Sequence, residues 1–149
     1  MVALLEVYKL AFQTQVVRWL MPHVGWWKCN TDGASRGNPG PSAAAFCISN
    51  SAGDLVGAKG VKIQDSTSIV AEAIVVREGL QYYWEHGLIQ VLLESDSYAL
   101  VKMLNGEWDV PWSVTLVVDF INRLRELMTV RVRHSLREGN TLADVFLLT

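Results

Sequence analysis

The alternation of apolar and polar positions first becomes regular at residues 26–32, Trp-Trp-Lys-Cys-Asn-Thr-Asp. In an extended segment, positions 26, 28, 30 and 32 lie on one face and 27, 29 and 31 on the other, so Asp32 emerges on a defined side. The run Gly37-Asn38-Pro39-Gly40-Pro41 then breaks the strand as a turn. Residues 43–49 form a short apolar second strand, the polar stretch 50–54 is a loop of the kind that joins antiparallel neighbours, and residues 55–63 form a third strand. Together the three predict a meander.

The period then changes from two to 3.6. After Asp65-Ser66-Thr67-Ser68, which offers several N-cap residues, a helix is predicted from about 69 to 86, stopping at Gly87. Its apolar stripe is Ile69, Ala73, Val76, Leu80 and Tyr83, and Glu72 sits beside that stripe, facing the sheet. Residues 89–94 read as a fourth strand that runs through Ser95-Asp96-Ser97 into a second helix over about 98–104. A loop at 106–112 holds Trp108, Pro111 and Trp112, tryptophans expected to pack into the core or anchor the loop. Residues 114–128 form a third amphipathic helix with Leu116, Val117, Phe120, Ile121 and Leu124 inward, and residues 129–133 a fifth strand. Residues 134–140 are a loop, and Asn140 caps a final helix that carries Asp144. At the other end, Leu5, Tyr8, Phe12 and Val16 recur at helical spacing, an amphipathic segment that ends before Pro22 and serves as a packing element or a linker. The order predicts an α/β domain over 25–149 with a mixed five-stranded sheet, an antiparallel meander plus parallel strands, flanked by helices. Residues 1–24 form an N-terminal extension.

Composition narrows the function classes. A chain of 149 residues, half of them apolar, fits one domain with a sizeable core. A formal charge of -2 announces no polyanion partner, so any nucleic-acid contact rests on local patches. Cys29 and Cys47 lack metal-ligand spacing and read as buried thiols in a reducing compartment. Glu6 and Lys9 interrupt the apolar N-terminus, which has neither a basic leading region nor a small-residue cleavage site. The expectation is an intracellular protein, nuclear or cytoplasmic, with no membrane span.

Four acids stand out by position: Asp32 on the first strand, Glu72 on the inner side of a helix, Asp96 at a strand end and Asp144 early in the last helix. The remaining acids fall in turns or on outer helix faces. Taken singly, each of the four has a purely structural explanation: Asp96 as a helix cap, Asp144 as a favourable charge near a helix N-terminus, Glu72 as the partner of a buried arginine. Brought together they repel one another, and divalent cations resolve that conflict. Carboxylates without His or Cys suit the hard cations Mg²⁺ and Mn²⁺. Two such ions about 3.5–4 Å apart can clamp the attacking and leaving oxygens of a phosphodiester.

The motifs Asn30-Thr31-Asp32-Gly33-Ala34, Gly37-Asn38-Pro39-Gly40, Ala71-Glu72-Ala73, Glu94-Ser95-Asp96-Ser97 and Arg137-Glu138-Gly139-Asn140 with Ala143-Asp144 occur in the order found in type 1 ribonuclease H. The chain resembles that family, and within it the plant reverse-transcriptase-like branch related to non-LTR retrotransposons, from about Trp19 to its end. The resemblance implies a ribonuclease H-like fold and an endonuclease that cuts the RNA strand of an RNA–DNA hybrid with two Mg²⁺ ions, for which Mn²⁺ substitutes. It places Asp32, Glu72, Asp96 and Asp144 as metal ligands and His134, ten residues ahead of Asp144, as an aid to proton transfer or product release. A strand-end residue pointing at solvent is the other reading of His134. Gly33, Asn38, Ser97 and Asn140 are implied substrate contacts, Asn38 near the 2′-hydroxyls that mark RNA; a turn-forming residue is its bland alternative.

Three departures bear on the reading. The second strand lacks the glycines and the Arg-Asp ending usual in this branch, the chain stops five residues past Asp144, and no Lys- and Trp-rich basic protrusion accompanies Trp108 and Trp112. Weak, salt-sensitive hybrid binding is therefore expected. The alternatives are an inactive binding or interaction domain and, within the same fold, a resolvase or 3′–5′ exonuclease. A larger parent polyprotein is a further expectation, and the sequence carries no sign of oligomeric state.

Overall fold

The structure, a computed structural model, describes residues 25–35, 37 and 39–135. The expected N-terminal helix, Asn38, Asn140, the final helix and Asp144 lie outside the described residues. Among the described residues, five strands and three helices follow in order: β1 (Trp27–Ser35), β2 (Gly40–Ser49), β3 (Leu55–Ser66), α1 (Ser68–Glu85), β4 (Gln90–Ser95), α2 (Tyr98–Leu104), a 3₁₀ turn at Trp112–Val114, α3 (Thr115–Leu127) and β5 (Thr129–His134). The sheet has the order β3-β2-β1-β4-β5. β1, β2 and β3 pair antiparallel as the expected meander, while β4 lies parallel to β1 and β5 parallel to β4. Parallel neighbours need long crossovers, and the helices supply them.

Two strands run further than their sequence pattern predicts. β1 continues to Ser35, which pairs with Ser42 near the start of β2. Side-chain hydrogen bonds explain the extension: the Ser35 hydroxyl lies 2.6 Å from both the Gly37 and the Ser66 carbonyl oxygens. Likewise β3 reaches Ser66, leaving Thr67 as the N-cap of α1, where its hydroxyl accepts from the Val70 amide. Gly87, at φ +71°, ends the helix as expected, and the Leu88 amide reaches back to the Tyr83 carbonyl at 2.8 Å.

The two sheet faces differ sharply. Cys29 on β1, Phe46 and Ile48 on β2, and Val91 and Leu93 on β4 join the core with Ala73, Val76, Leu80 and Tyr83 of α1 and Val118, Ile121 and Leu124 of α3. Gly79 permits the close fit, since a Cβ there would stand 3.2 Å from the Cys29 sulfur. Both cysteines are buried and outside any disulfide, as expected. The inward face of α3 is a correction. Val118 and not Phe120 faces the core, and Leu116 and Phe120 are exposed. The 3₁₀ turn buries Val114 and thereby sets a phase of 114, 118 and 121 that the apolar pattern alone does not reveal. Of the two readings of Trp108 and Trp112, core packing is overturned: both are exposed, and Trp108 packs edge-on against Tyr98.

On the other face, β1 buries Lys28 and Asn30, and register places Asn30 beside Glu94 of β4. Glu94 therefore breaks the expectation that every acid outside the four sits in a turn or on an outer helix face. Its carboxylate is buried between Lys28 Nζ at 2.5 Å and Arg133 Nη2 at 3.2 Å. Among the described residues, no helix is long and apolar enough to cross a membrane.

Candidate active site

β1 pairs antiparallel with β2 on one side and parallel with β4 on the other, so the chain's progress across the sheet reverses between β1 and β4. In open α/β sheets, sites gather beyond the carboxyl ends of strands at such a reversal. Asp32 lies towards the end of β1, and Asp96 directly follows β4. α1 crosses the same end and contributes Glu72. One carboxylate oxygen from each of Asp32, Glu72 and Asp96 lies within 4.8 Å of the others. Asp32 is 3% exposed and Glu72 7%, so two of the three carboxylates face each other largely out of water.

Small residues make this convergence possible. A Cβ built on Gly33 would stand 2.7 Å from the Glu72 amide nitrogen and 2.8 Å from the Ala71 carbonyl carbon. Only a residue without a side chain lets α1 settle this closely on β1. The Ser95 hydroxyl lies 3.5 Å from Glu72 Oε2 and accepts from the Ser97 amide at 3.1 Å. It thus ties the helix carboxylate to the turn that carries Asp96. The Thr31 hydroxyl, 3.4 Å from the Glu94 carbonyl, adds a link between β1 and β4.

His134 is the last residue of β5 rather than part of a loop, and pairs in register with Ser95. It is exposed, with Nε2 at 3.2 Å from the Asp96 carbonyl oxygen and its ring edge-on to Tyr98 at 5.4 Å. A carbonyl only accepts, so Nε2 donates and the neutral ring presents Nδ1 as its acceptor. Ser97 is the N-cap of α2, its hydroxyl accepting from Leu100 at 3.3 Å, which takes from Asp96 the capping role open to it in the sequence. What the structure shows of Gly33 is its contact with α1. The structure therefore brings together Asp32, Glu72 and Asp96, sets His134 against the backbone of Asp96, and leaves Asn38, Asn140 and Asp144 outside the described residues.

Sequence reasoning missed the buried Lys28–Glu94 pair and the half-exposed Arg133 beside it. Strand period puts Lys28 on the Asp32 face of β1, but only the register of β4 and β5 brings Glu94 and Arg133 beside it. It also missed the Ser95 link to Glu72, which only the packing of α1 creates. An all-oxygen donor set of clustered carboxylates fits a hard divalent cation and not zinc.

The reverse transcriptase-like family matches residues 30–147. The chain belongs to that family. A putative ribonuclease H protein of Arabidopsis thaliana is 35% identical over 131 residues, 87% of this chain, and the chain spans 21% of that relative's length. The ribonuclease H1 of the halophilic archaeon Halobacterium salinarum superposes with a TM-score of 0.77 at 28% identity, covering 81% of this chain and 93% of that one. LC11-RNase H1, solved in complex with RNA/DNA hybrid, matches at TM-score 0.76 and 24% identity over 82% of this chain and 94% of its own. The fold is that of ribonuclease H.

Proposed function

We propose that this domain is a divalent-metal-dependent ribonuclease H that hydrolyses the RNA strand of an RNA–DNA hybrid. The observation that carries the reading is the meeting of the Asp32, Glu72 and Asp96 carboxylates within 4.8 Å at the carboxyl ends of β1 and β4. Family membership and the hybrid bound to a protein of the same fold support the substrate.

In this reading Asp32, Glu72 and Asp96, joined by Asp144, hold two Mg²⁺ ions, with Mn²⁺ as a substitute. The cations supply Lewis-acid stabilisation of the charge that develops on the phosphodiester. The chain's own residues position that charge. Gly33 seats α1 so that Glu72 reaches Asp32, and Ser95 holds Glu72 against the strand end. Asp32 and Glu72 stay largely out of water, which strengthens their field on a cation. His134, held through Nε2 by the Asp96 carbonyl, offers Nδ1 to a proton at the rim. Asn38, Ser97, Asn140 and the Gly33 backbone contact the substrate in this proposal, and the domain derives from a larger retrotransposon-type protein of the cell interior.

The test is incubation of the folded protein with an end-labelled hybrid and Mg²⁺, beside Asp32→Asn. RNA cleavage by the wild type alone is the expected result. Cleavage that Asp32→Asn leaves unchanged, or none by a wild type that binds Mg²⁺ in calorimetry, overturns the assignment. Hybrid binding without turnover identifies the non-catalytic binding domain instead.

A further inference from the structure

α3 turns a row of large side chains away from the core. Val118, Ile121 and Leu124 face inward, whereas Leu116 is 85% exposed, Leu127 59% and Phe120 41%, and Arg123 between them is exposed as well. At 3.6 residues per turn, positions 116, 120, 123 and 127 fall within about 60° of one another around the helix. Trp112, one turn before Leu116 and 90% exposed, extends the row. Scattered surface apolar residues need no explanation, but large ones lined along one helix face mark a contact surface. Asp119 and Glu126 flank the row and are exposed, so it is unsuited to a phosphate backbone.

We infer that this face of α3 pairs with the same face of a second copy of the chain, antiparallel about a two-fold axis. The row Leu116, Phe120, Arg123, Leu127 has intervals of four, three and four residues, so its spacing is the same read from either end. In a two-fold interface each contact occurs twice, residue i meeting j and j meeting i. With the axis at the midpoint of the row, between residues 121 and 122, Leu116 meets the partner's Leu127 and Phe120 meets the partner's Arg123. Leucines then close both ends, and each guanidinium lies over a phenylalanine ring. Arg123 also comes within one position of the partner's Asp119, which supplies a counter-charge. A parallel pair would instead set Arg123 against its own copy and repel, and a purely apolar partner would strand that guanidinium. The chain's own face, turned end for end, satisfies both the leucines and the arginine. One helix face from each copy offers less than the roughly 800 Å² per partner of a standard interface, so the dimer should be weak, with a dissociation constant on the order of 10–100 µM.

Sedimentation of the full chain from about 1 µM to about 1 mM tests this, a range that brackets the expected dissociation constant. Chelator is present and nucleic acid absent, so the result does not depend on the nuclease reading. The wild type should pass from monomer to dimer across the range, and Leu116→Glu should move that transition upward at least about ten-fold in concentration. Leu116 is exposed and outside the core cluster, so the variant keeps the fold, which near-ultraviolet circular dichroism checks. Val56→Glu, at an exposed apolar residue of β3, is the control and should dimerise like the wild type. Direction is read by cross-linking. Mixed and oxidised, Leu116→Cys and Leu127→Cys chains should join to each other, while Leu116→Cys alone should not, because its two copies stand about 16 Å apart along the helices, beyond the reach of a disulfide. Cys29 and Cys47 are buried and do not compete. A wild type that stays monomeric throughout overturns the inference and leaves the row to a different protein. A dimer that Leu116→Glu leaves intact or Val56→Glu dissolves, or Leu116→Cys chains that join to themselves as readily as to Leu127→Cys, overturns it equally.

Discussion

Lys28 and Glu94 meet at 2.5 Å in the interior, one on β1 and one on β4, where neither side chain has appreciable access to water. Burial lowers the Lys28 pKa to about 8, from 10.5, with Glu94 opposing that fall. The sign of the consequence is definite. Below pH 8 the ammonium is protonated in both folded and unfolded chains, so pH has no effect through this group. Between about 8 and 10.5 the unfolded chain binds more protons, and stability rises with pH by something on the order of 3 kcal/mol. Cys29 and Tyr83, whose burial pushes their pKa values up from 9.0 and 10.0, act oppositely: they keep their protons when folded and erode stability above those values. Comparing wild type with Lys28→Met cancels them. The stability difference, from urea titrations at pH 7 to 10.5, should move in favour of the wild type as pH rises; a flat difference contradicts the buried ammonium.

Glu94→Gln should be the most damaging single change on that sheet face. It leaves Lys28 buried and charged beside an uncharged amide, and the loss of a buried ion-pair partner typically costs about 3–5 kcal/mol. Lys28→Met/Glu94→Leu removes both charges and should recover most of that stability. Urea midpoints at constant m give the comparison. A double variant as unstable as Glu94→Gln would show that packing, and not the stranded charge, sets the cost.

Gly33 and Gly79 both line the β1–α1 contact, yet alanine should affect them differently. At Gly33 the added Cβ meets backbone, 2.7 Å from the Glu72 nitrogen, and backbone cannot rotate aside. Gly33→Ala should cost about 1–3 kcal/mol or more and, by pushing α1 off the strand, carry Glu72 away from Asp32 and weaken Mg²⁺ binding. At Gly79 the nearest atom is the Cys29 sulfur at 3.2 Å, the end of a side chain, and alanine in a helix gains up to about 1 kcal/mol over glycine. Gly79→Ala should therefore lie near neutral in thermal unfolding and leave metal binding unchanged.

The parts of this molecule that the sequence makes legible are those governed by local patterning. Alternation locates the five strands, 3.6-residue spacing and Gly87 locate α1, and the odd placement of Asp32 in a strand points to partners in Glu72 and Asp96. What it hides depends on phase and on pairing at a distance. The burial of Val114 sets the phase of α3 and turns Leu116 and Phe120 outward, although both fit an inward stripe. Glu94 reads as one more acid until register places it beside Asn30 and Arg133, with Lys28 on the same face. Ser95 becomes a tether for Glu72 only once α1 has docked. Each of these needs the three-dimensional neighbour, which a single sequence carries only as an unassigned polar residue.

The clustered carboxylates themselves give the last prediction. Asp32, Glu72 and Asp96 bring like charges within 4.8 Å, so without a cation each destabilises the others, and neutralising one relieves the strain. In chelator-treated protein, Asp32→Asn should unfold at a higher temperature than the wild type. Added Mg²⁺ should reverse the order, because a ligand that binds only the folded state stabilises it by about 2.7 kcal/mol at one hundred times its dissociation constant. The wild type gains that increment and the variant, lacking a carboxylate the site needs, gains little. Glu72→Gln should follow Asp32→Asn, and an exposed control such as Asp54→Asn should respond to Mg²⁺ like the wild type. Calorimetric scans of the four proteins with and without Mg²⁺ decide it: equal Mg²⁺ shifts in wild type and Asp32→Asn would remove the case for a metal site at these carboxylates.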